Sequence, residues 1–265
     1  MRYLRAGSGP PLVLVHGLLG YSFSWRFVIP LLARQATVFA VDSLGTGYSD
    51  RVPELDCSFQ GSARRLRLFL DQAGVSACDL LGTSHGGAVA MIAASLAPQR
   101  VKRLILVAPV NPWSAHGQWL AGFLSSPPIT PLLLYLAPRM EFTHRTFLRR
   151  VFGDPKRIAP GTLEGYSAPM RIPHSFEYGA SVLRNWQTGL RELSRALPTI
   201  RQTPTLLIWG DRDPAVDPAS AAQLRQNFDH CRLVMLQGVG HLPYEEVPQV
   251  FSQAVGEFLS SSGTT

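Results

Sequence analysis

The sequence predicts an α/β protein: a doubly wound, mostly parallel sheet with a helical segment inserted near its middle. Three observations predict it. Short apolar runs recur along the 265 residues without alternating with polar ones, the pattern of strands buried on both faces. Longer amphipathic or small-residue stretches separate these runs, and repeated strand-helix-strand order implies parallel strands with right-handed crossovers. Between Asn111 and Pro198 the pattern breaks: prolines and aromatics cluster and no strand run is visible.

Residues 2–5 supply one short first strand. Residues 12–15 (LVLV) follow Gly9-Pro10-Pro11 and stop at His16-Gly17. Further strand candidates are 37–41, the flanks of Leu80-Leu81, 104–107, 206–209 and 233–236. A helix over 62–73 carries Leu66, Phe69 and Leu70 at helical spacing, with Gly74 as its stop. Residues 85–97 are small and apolar, suited to a buried helix. Asp217 reads as an N-cap with Pro218 at the first helical position, opening a helix to about Phe228. Pro248 opens a last helix to about Leu259, and the Ser/Gly/Thr tail beyond it should fray. Two units result: 1–111 with 199–265 as the α/β core, and 112–198 as an inserted helical cap. Ligands bind at the carboxyl ends of strands in open α/β sheets, so an insertion leaving such an end would roof the site.

Apolar residues make up 46% of the chain and charged ones 16%, which describes a globular protein. No apolar run approaches the ~18 residues of a membrane span, so stable membrane insertion is not expected. Residues 1–5 lack a secretory h-region, which makes the cytoplasm the default location. The net charge is +7. Residues 112–198 hold ten Lys or Arg against five Asp or Glu, hence +5 of it. These positives are scattered and nearly all arginine, with no nucleic-acid recognition motif beside them, so nucleic acid is not an expected partner. Cys57, Cys78 and Cys231 form no metal or CxxC spacing. Cys78 and Cys231 open apolar runs and read as buried thiols. No cofactor or metal motif is present, and oligomeric state leaves no signature.

The stretch Gly82-Thr83-Ser84-His85-Gly86-Gly87 follows an apolar strand and precedes a small-residue helix. Gly-x-Ser-x-Gly in that context suits a nucleophile elbow, where glycines permit a tight turn that exposes the serine oxygen. A serine hydroxyl is a weak nucleophile and needs a base, and the base needs an orienting group. His241, in Gly238-Val239-Gly240-His241 after the 233–236 strand, is the best-placed base. His16 is expected to pack in its turn and His85, a neighbour on the elbow, to point elsewhere; His116, His144 and His174 lie in the insertion, and His230 precedes a strand. Among the acids after the 206–209 strand, Asp217 has its cap role, Asp211 could brace its loop, and Asp213 can reach a histidine from the next loop. Asp42 and Asp79 are more distant alternatives. Oxyanion donors would be the backbone N–H of His85 and, from the loop 16–20, that of Leu18.

The order Ser84, Asp213, His241, together with His16-Gly17-Leu18, the 42–50 stretch DSLGTGYSD, Gly210-Asp211-Arg212-Asp213 and Gly240-His241, resembles the α/β-hydrolase superfamily over nearly the whole chain. The resemblance implies the α/β-hydrolase fold, Asp213 as the acid of a catalytic triad, and residues 112–198 as the family's cap domain. Two departures stand out. The antiparallel strand pair that often begins family members is abbreviated to one strand. The nucleophile position is Ser rather than Asp, which argues against dehalogenase or epoxide-hydrolase chemistry.

The expected activity is hydrolysis of small or medium carboxylic esters through an acyl-enzyme, with the ester as a small-molecule partner and no cofactor. Trp113, Trp119, Phe123, Leu133 and Trp186 are candidate substrate-binding residues. Two rivals remain open. One is C–C bond hydrolysis of a meta-cleavage product, with Arg184 or Arg191 gripping its carboxylate. The other is a ligand-binding protein of this fold with little turnover.

Overall fold

The apolar runs pair into a single sheet. A computed structural model describes residues 1–114, 123, 126, 129–136 and 141–261, the side chains of 131, 133, 134 and 141–144 excepted. The strands are β1 (Tyr3–Ala6), β2 (Pro11–Val15), β3 (Thr37–Val41), β4 (Cys78–Thr83), β5 (Val101–Val107), β6 (Thr205–Gly210) and β7 (Cys231–Leu236). Their spatial order is β1-β3-β2-β4-β5-β6-β7. β1 runs antiparallel to β3, and every other pair is parallel. Among the described residues the α-helices with given bounds are α1 (Ile29–Leu32), α2 (Phe59–Gln72), α3 (His85–Leu96), α4 (Ile129–Leu136), α5 (Glu141–Val151), α6 (Thr162–Ser167), α7 (Ser175–Arg184), α8 (Trp186–Ala196), α9 (Ser220–Arg225), α10 (Pro243–Glu246) and α11 (Pro248–Ser260).

Successive strand side chains point to opposite faces, and here both faces are covered. Leu12, Leu14, Leu81, Ile105, Leu206 and Ile208 pack with Trp25, Leu32, Phe251 and Val255 on one side. Val13, Leu80, Leu104, Leu106, Leu207 and Trp209 pack with α2, α3 and α8 on the other. That double burial is why the strand sequences read as continuous apolar runs. Each such aliphatic side chain contributes about 1.5–3 kcal/mol when fully buried. Between β5 and β6 the regular elements of the described residues are helices, with no strand among them. The last of these helices, α8, buries Leu190 and Leu193 in the sheet-side core, so the insertion is anchored at its C-terminal end.

Several local expectations change. The helix predicted from Ser62 begins at Phe59, because the Ser58 side chain accepts the Gly61 N–H at 2.9 Å and caps it. Gly74, at φ 68°, ends it as expected. Asp217 does not cap a helix reaching Phe228. Its Oδ1 accepts the Ala219 N–H at 2.9 Å in a local turn, and the helix proper is the shorter Ser220–Arg225. Cys78 is buried, but Cys231 is only partly so, because β7 is the outermost strand of the sheet and is incompletely covered on both faces.

At the amino ends of the strands, Arg103 Nε and Nη2 each donate to an Asp79 carboxylate oxygen at 2.8 Å, and Nη1 donates to Leu259 O at 2.6 Å. Asp79 is therefore structural. Asp79→Ala leaves the guanidinium without its carboxylate, and we expect a loss of about 2 kcal/mol, discounted for the partial exposure of Arg103. A urea midpoint unchanged from wild type would contradict this.

Candidate functional site

Parallel pairing brings the ends of β4, β5, β6 and β7 to one sheet edge. Ser84 lies one residue past β4, with φ 53° and ψ −124°. A non-glycine residue there stores roughly 1–3 kcal/mol of strain. The surroundings hold it. Ser84 N–H donates to Val107 O at 2.9 Å, and Ser84 O accepts the Val110 N–H at 3.0 Å. The flanking glycines are required by close approach: a Cβ on Gly82 would lie 2.4 Å from Gly86 O, and one on Gly86 would lie 2.3 Å from His16 O. The turn leaves Ser84 only partly buried. Its hydroxyl makes no hydrogen bond to a described residue, the His241 ring included.

The carboxyl ends of β6 and β7 carry Asp213 and His241. Asp213 is buried three residues past β6, and its Oδ1 accepts the N–H groups of Ala215 and Val216 at 2.8 and 3.0 Å. Its Oδ2 accepts from His241 Nδ1 at 2.7 Å, with both side chains buried. That bond fixes the ring and leaves Nε2 on the side away from the carboxylate. The two loops are stitched together: Asp211 Oδ1 accepts the Gly238 N–H at 2.7 Å, and Arg212 N–H donates to Val239 O at 3.0 Å. Asp211 thus braces its loop, and Asp213 is the carboxylate on the histidine.

The loop after β2 lies against the serine. A Cβ on Gly17 would sit 3.1 Å from Ser84 Cβ and 3.7 Å from its Oγ. Buried His16 anchors this loop: its Nε2 accepts the Ser43 N–H at 3.1 Å, which puts the proton on Nδ1, 2.8 Å from Gly17 O. Among the described residues, neither the Leu18 nor the His85 backbone N–H is engaged by another protein group. His85 follows Ser84 directly, and Leu18 follows Gly17, whose backbone lies against it.

The His85 side chain points elsewhere. Its ring packs edge-on to Phe59 and Tyr178 at centroid distances of 5.0 and 6.3 Å. Burial, aided by neighbouring His16, pushes its pKa from 6.5 down to about 3. Burial also lowers that of His16. Asp42 is spent on loop amides, accepting the Ser22 and Tyr48 N–H groups at 2.7 and 3.1 Å. His174 pairs with Glu177 on the surface, and His230 is exposed. His116 and the side chain of His144 lie outside the described residues. Among the described residues no cluster of three His, Cys, Asp or Glu side chains is placed to hold a metal.

Of the candidate substrate-binding residues, Trp186 packs edge-on to Phe59 at 5.8 Å, close to the elbow. Trp113 and Phe123 are 38% and 47% exposed. Trp119 and the Leu133 side chain lie outside the described residues. Arg184 and Arg191 are exposed on the surface. Two groups escaped the sequence reading. Glu245 binds Arg26 through both oxygens and accepts the Tyr166 hydroxyl at 2.8 Å. Glu246 accepts the N–H groups of Gly240, Gly153 and Asp154. Both are separated by tens of residues from most of their partners, so no local pattern announces them.

A family model described as alpha/beta hydrolase fold matches residues 10–248. The dihydrolipoyllysine-residue acetyltransferase component of the acetoin cleaving system of Pseudomonas putida is 30% identical over 98% of the chain, which spans 66% of that protein. A human monoacylglycerol lipase is 26% identical over 98% of the chain and 78% of its own length. The structure of a bacterial membrane phospholipase A superposes with a TM-score of 0.80 at 28% identity, covering 97% of this chain and 81% of that one.

The two depressed histidines have a consequence for stability. In the unfolded chain each binds a proton near its ordinary pKa of 6.5. The folded protein refuses that proton, so stability is full above pH 6.5 and declines as the pH falls toward about 3. His85 alone should account for about 2 kcal/mol of loss between pH 7 and pH 5. His85→Leu should flatten that decline in urea midpoints, and a variant with the wild-type pH slope would contradict it.

Proposed function

This chain belongs to the alpha/beta hydrolase fold family, and within it we propose that the protein is a serine hydrolase that cleaves small or medium carboxylic esters through an acyl-enzyme. The observation that carries the reading is the buried 2.7 Å contact between His241 Nδ1 and Asp213 Oδ2, on the sheet edge where the strained Ser84 turn exposes its hydroxyl. A histidine held by a carboxylate at one nitrogen offers the other as a general base.

In this mechanism Ser84 Oγ attacks the ester carbonyl while His241 Nε2 takes its proton. Asp213 keeps the ring oriented and stabilises the imidazolium. The Leu18 and His85 N–H groups receive the oxyanion. His241 then returns the proton to the leaving alcohol, and water, deprotonated by the same nitrogen, releases the acid. Hydrogen bonds between nucleophile and base are commonly long without substrate and tighten in the reacting complex, which accommodates the unbonded Ser84 hydroxyl. Residues 112–198 act as the cap, with Trp113 and Trp186 contributing apolar surface for the acyl group. Phe123 belongs to the same proposed lining. The lipase and the phospholipase among the relatives favour an ester. The exposure of Arg184 and Arg191 speaks against their gripping a substrate carboxylate, as C–C hydrolysis would ask of them.

We expect turnover of p-nitrophenyl esters over a range of acyl lengths, and a fall of roughly 10⁴-fold or more in kcat for Ser84→Ala. A fluorophosphonate adduct should map to Ser84. Labelling of a different serine, or full activity in the alanine variant, would falsify the assignment.

A further inference from the structure

One buried carboxylate lies outside this machinery and yet grips the loop that carries the base. Glu246 is the last residue of α10, and its side chain is fully buried. Oε1 accepts the Gly240 N–H at 2.7 Å and the Gly153 N–H at 2.9 Å. Oε2 accepts the Asp154 N–H at 3.2 Å and receives Arg157 Nη1 at 3.5 Å. The first donor is the residue immediately before His241. The other three come from the segment that follows α5 in the insertion.

The same two segments touch independently of Glu246. His241 N–H donates to Val151 O at 2.7 Å, and Arg157 Nη1 donates to Gly238 O at 3.1 Å. Their backbones lie so close that a Cβ on Gly153 would fall 2.6 Å from Gly240 N. Leu148, Val151 and Phe152 form a small apolar cluster with Leu242, the residue after the base. Asp213 therefore fixes only the ring of His241. Its backbone is clamped between Glu246 and segment 151–157.

From this we propose that Glu246 is a positioning residue for the base, and that it couples the seating of cap segment 151–157 to the placement of His241. The proposal rests on the serine-hydrolase reading for its catalytic meaning. Its physical basis is simple. A buried carboxylate gathering three backbone N–H groups and a guanidinium is a charge-assisted hub. Loss of one acceptor leaves buried donors without partners, which costs free energy, and the loop relaxes away. Displacements of about 1 Å in a catalytic group can lower a rate by about 10²-fold.

The test compares Glu246→Gln, Gly153→Ala and Arg157→Ala with wild type. Gln keeps the shape but turns an amide donor toward two of the donors; the alanine at 153 pushes the cap segment off the loop. Arg157 is 35% exposed in its side chain, so its truncation spares the fold if the others do not. We expect kcat on p-nitrophenyl esters to fall about 10–100-fold for Glu246→Gln and Gly153→Ala, with KM changed by less than about threefold, and a smaller fall in kcat for Arg157→Ala. The downfield imidazole Nδ1 proton of His241 in the NMR spectrum should weaken and exchange faster in the same order. Asp79→Ala is the control for lost stability alone, and it should leave that resonance in place. An unchanged kcat and an unchanged resonance in all three variants would overturn the proposal, as would an equal effect in Asp79→Ala. Absent ester turnover and Ser84 labelling in wild type would count against the hydrolase reading. The resonance would then still decide whether Glu246 holds the histidine.

Discussion

The backbone conformation of Ser84 is the constraint around which the site is organised. At φ 53° it cannot relax without breaking its links to Val107 and Val110, and those links exist because β4 and β5 are held in register by apolar side chains on both faces. The strain is thus maintained by sheet packing. The same packing brings Gly86 against the backbone of His16, which places the Leu18 loop beside the serine. The placement of Ser84 and that of the Leu18 loop are in this sense one structural fact, and a change that loosened β4 would disturb both together.

Much of this was legible in the chain. The strands announced themselves because double burial removes polar alternation, as in residues 104–107 and 206–209. Ser84 was legible because its glycines have no substitute at such short approach distances. Asp213 and His241 could be paired because parallel strands end at one edge and glycine-rich loops follow both. Boundaries were less readable. Ser58 and Asp217 are both polar residues near helix starts, and which of them caps a helix depends on whether a backbone N–H three residues on is presented to the side chain. The edge character of β7, and hence the partial exposure of Cys231, depends on what lies beside that strand, which local sequence does not encode.

The grip of Glu246 on the His241 loop was not legible for a related reason. Glu246 accepts from residues 92 and 93 positions earlier, and its sequence neighbourhood, Tyr-Glu-Glu-Val between two prolines, looks like the exposed start of a helix. Only the folded loop makes it interior. Similarly His85 could be read as pointing away from the reaction, while the depth of its burial, and so its neutrality, follows from Phe59 and Tyr178 arriving from distant parts of the chain.

The adjacent pair Glu245 and Glu246 raises a question of energetics. Each is buried, and burial pushes the pKa of Glu245 up even against Arg26 and Tyr166. Taking a carboxylate out of water costs several kcal/mol, and paired partners often only offset that cost. A hydrophobic pair of similar volume could hold the insertion against the core as firmly. It would not, however, discriminate between slightly different placements of the two segments, because apolar contact is non-directional. Hydrogen bonds are directional and steep in angle. Glu245 reaches α6 through Tyr166, and Glu246 reaches the segment after α5, so two neighbouring residues define where two separate parts of the insertion sit. Both are within five residues of His241 in sequence. Such an arrangement favours one placement of the His241 loop over net stability, and it ties that placement to residues 151–157 as well as to the sheet.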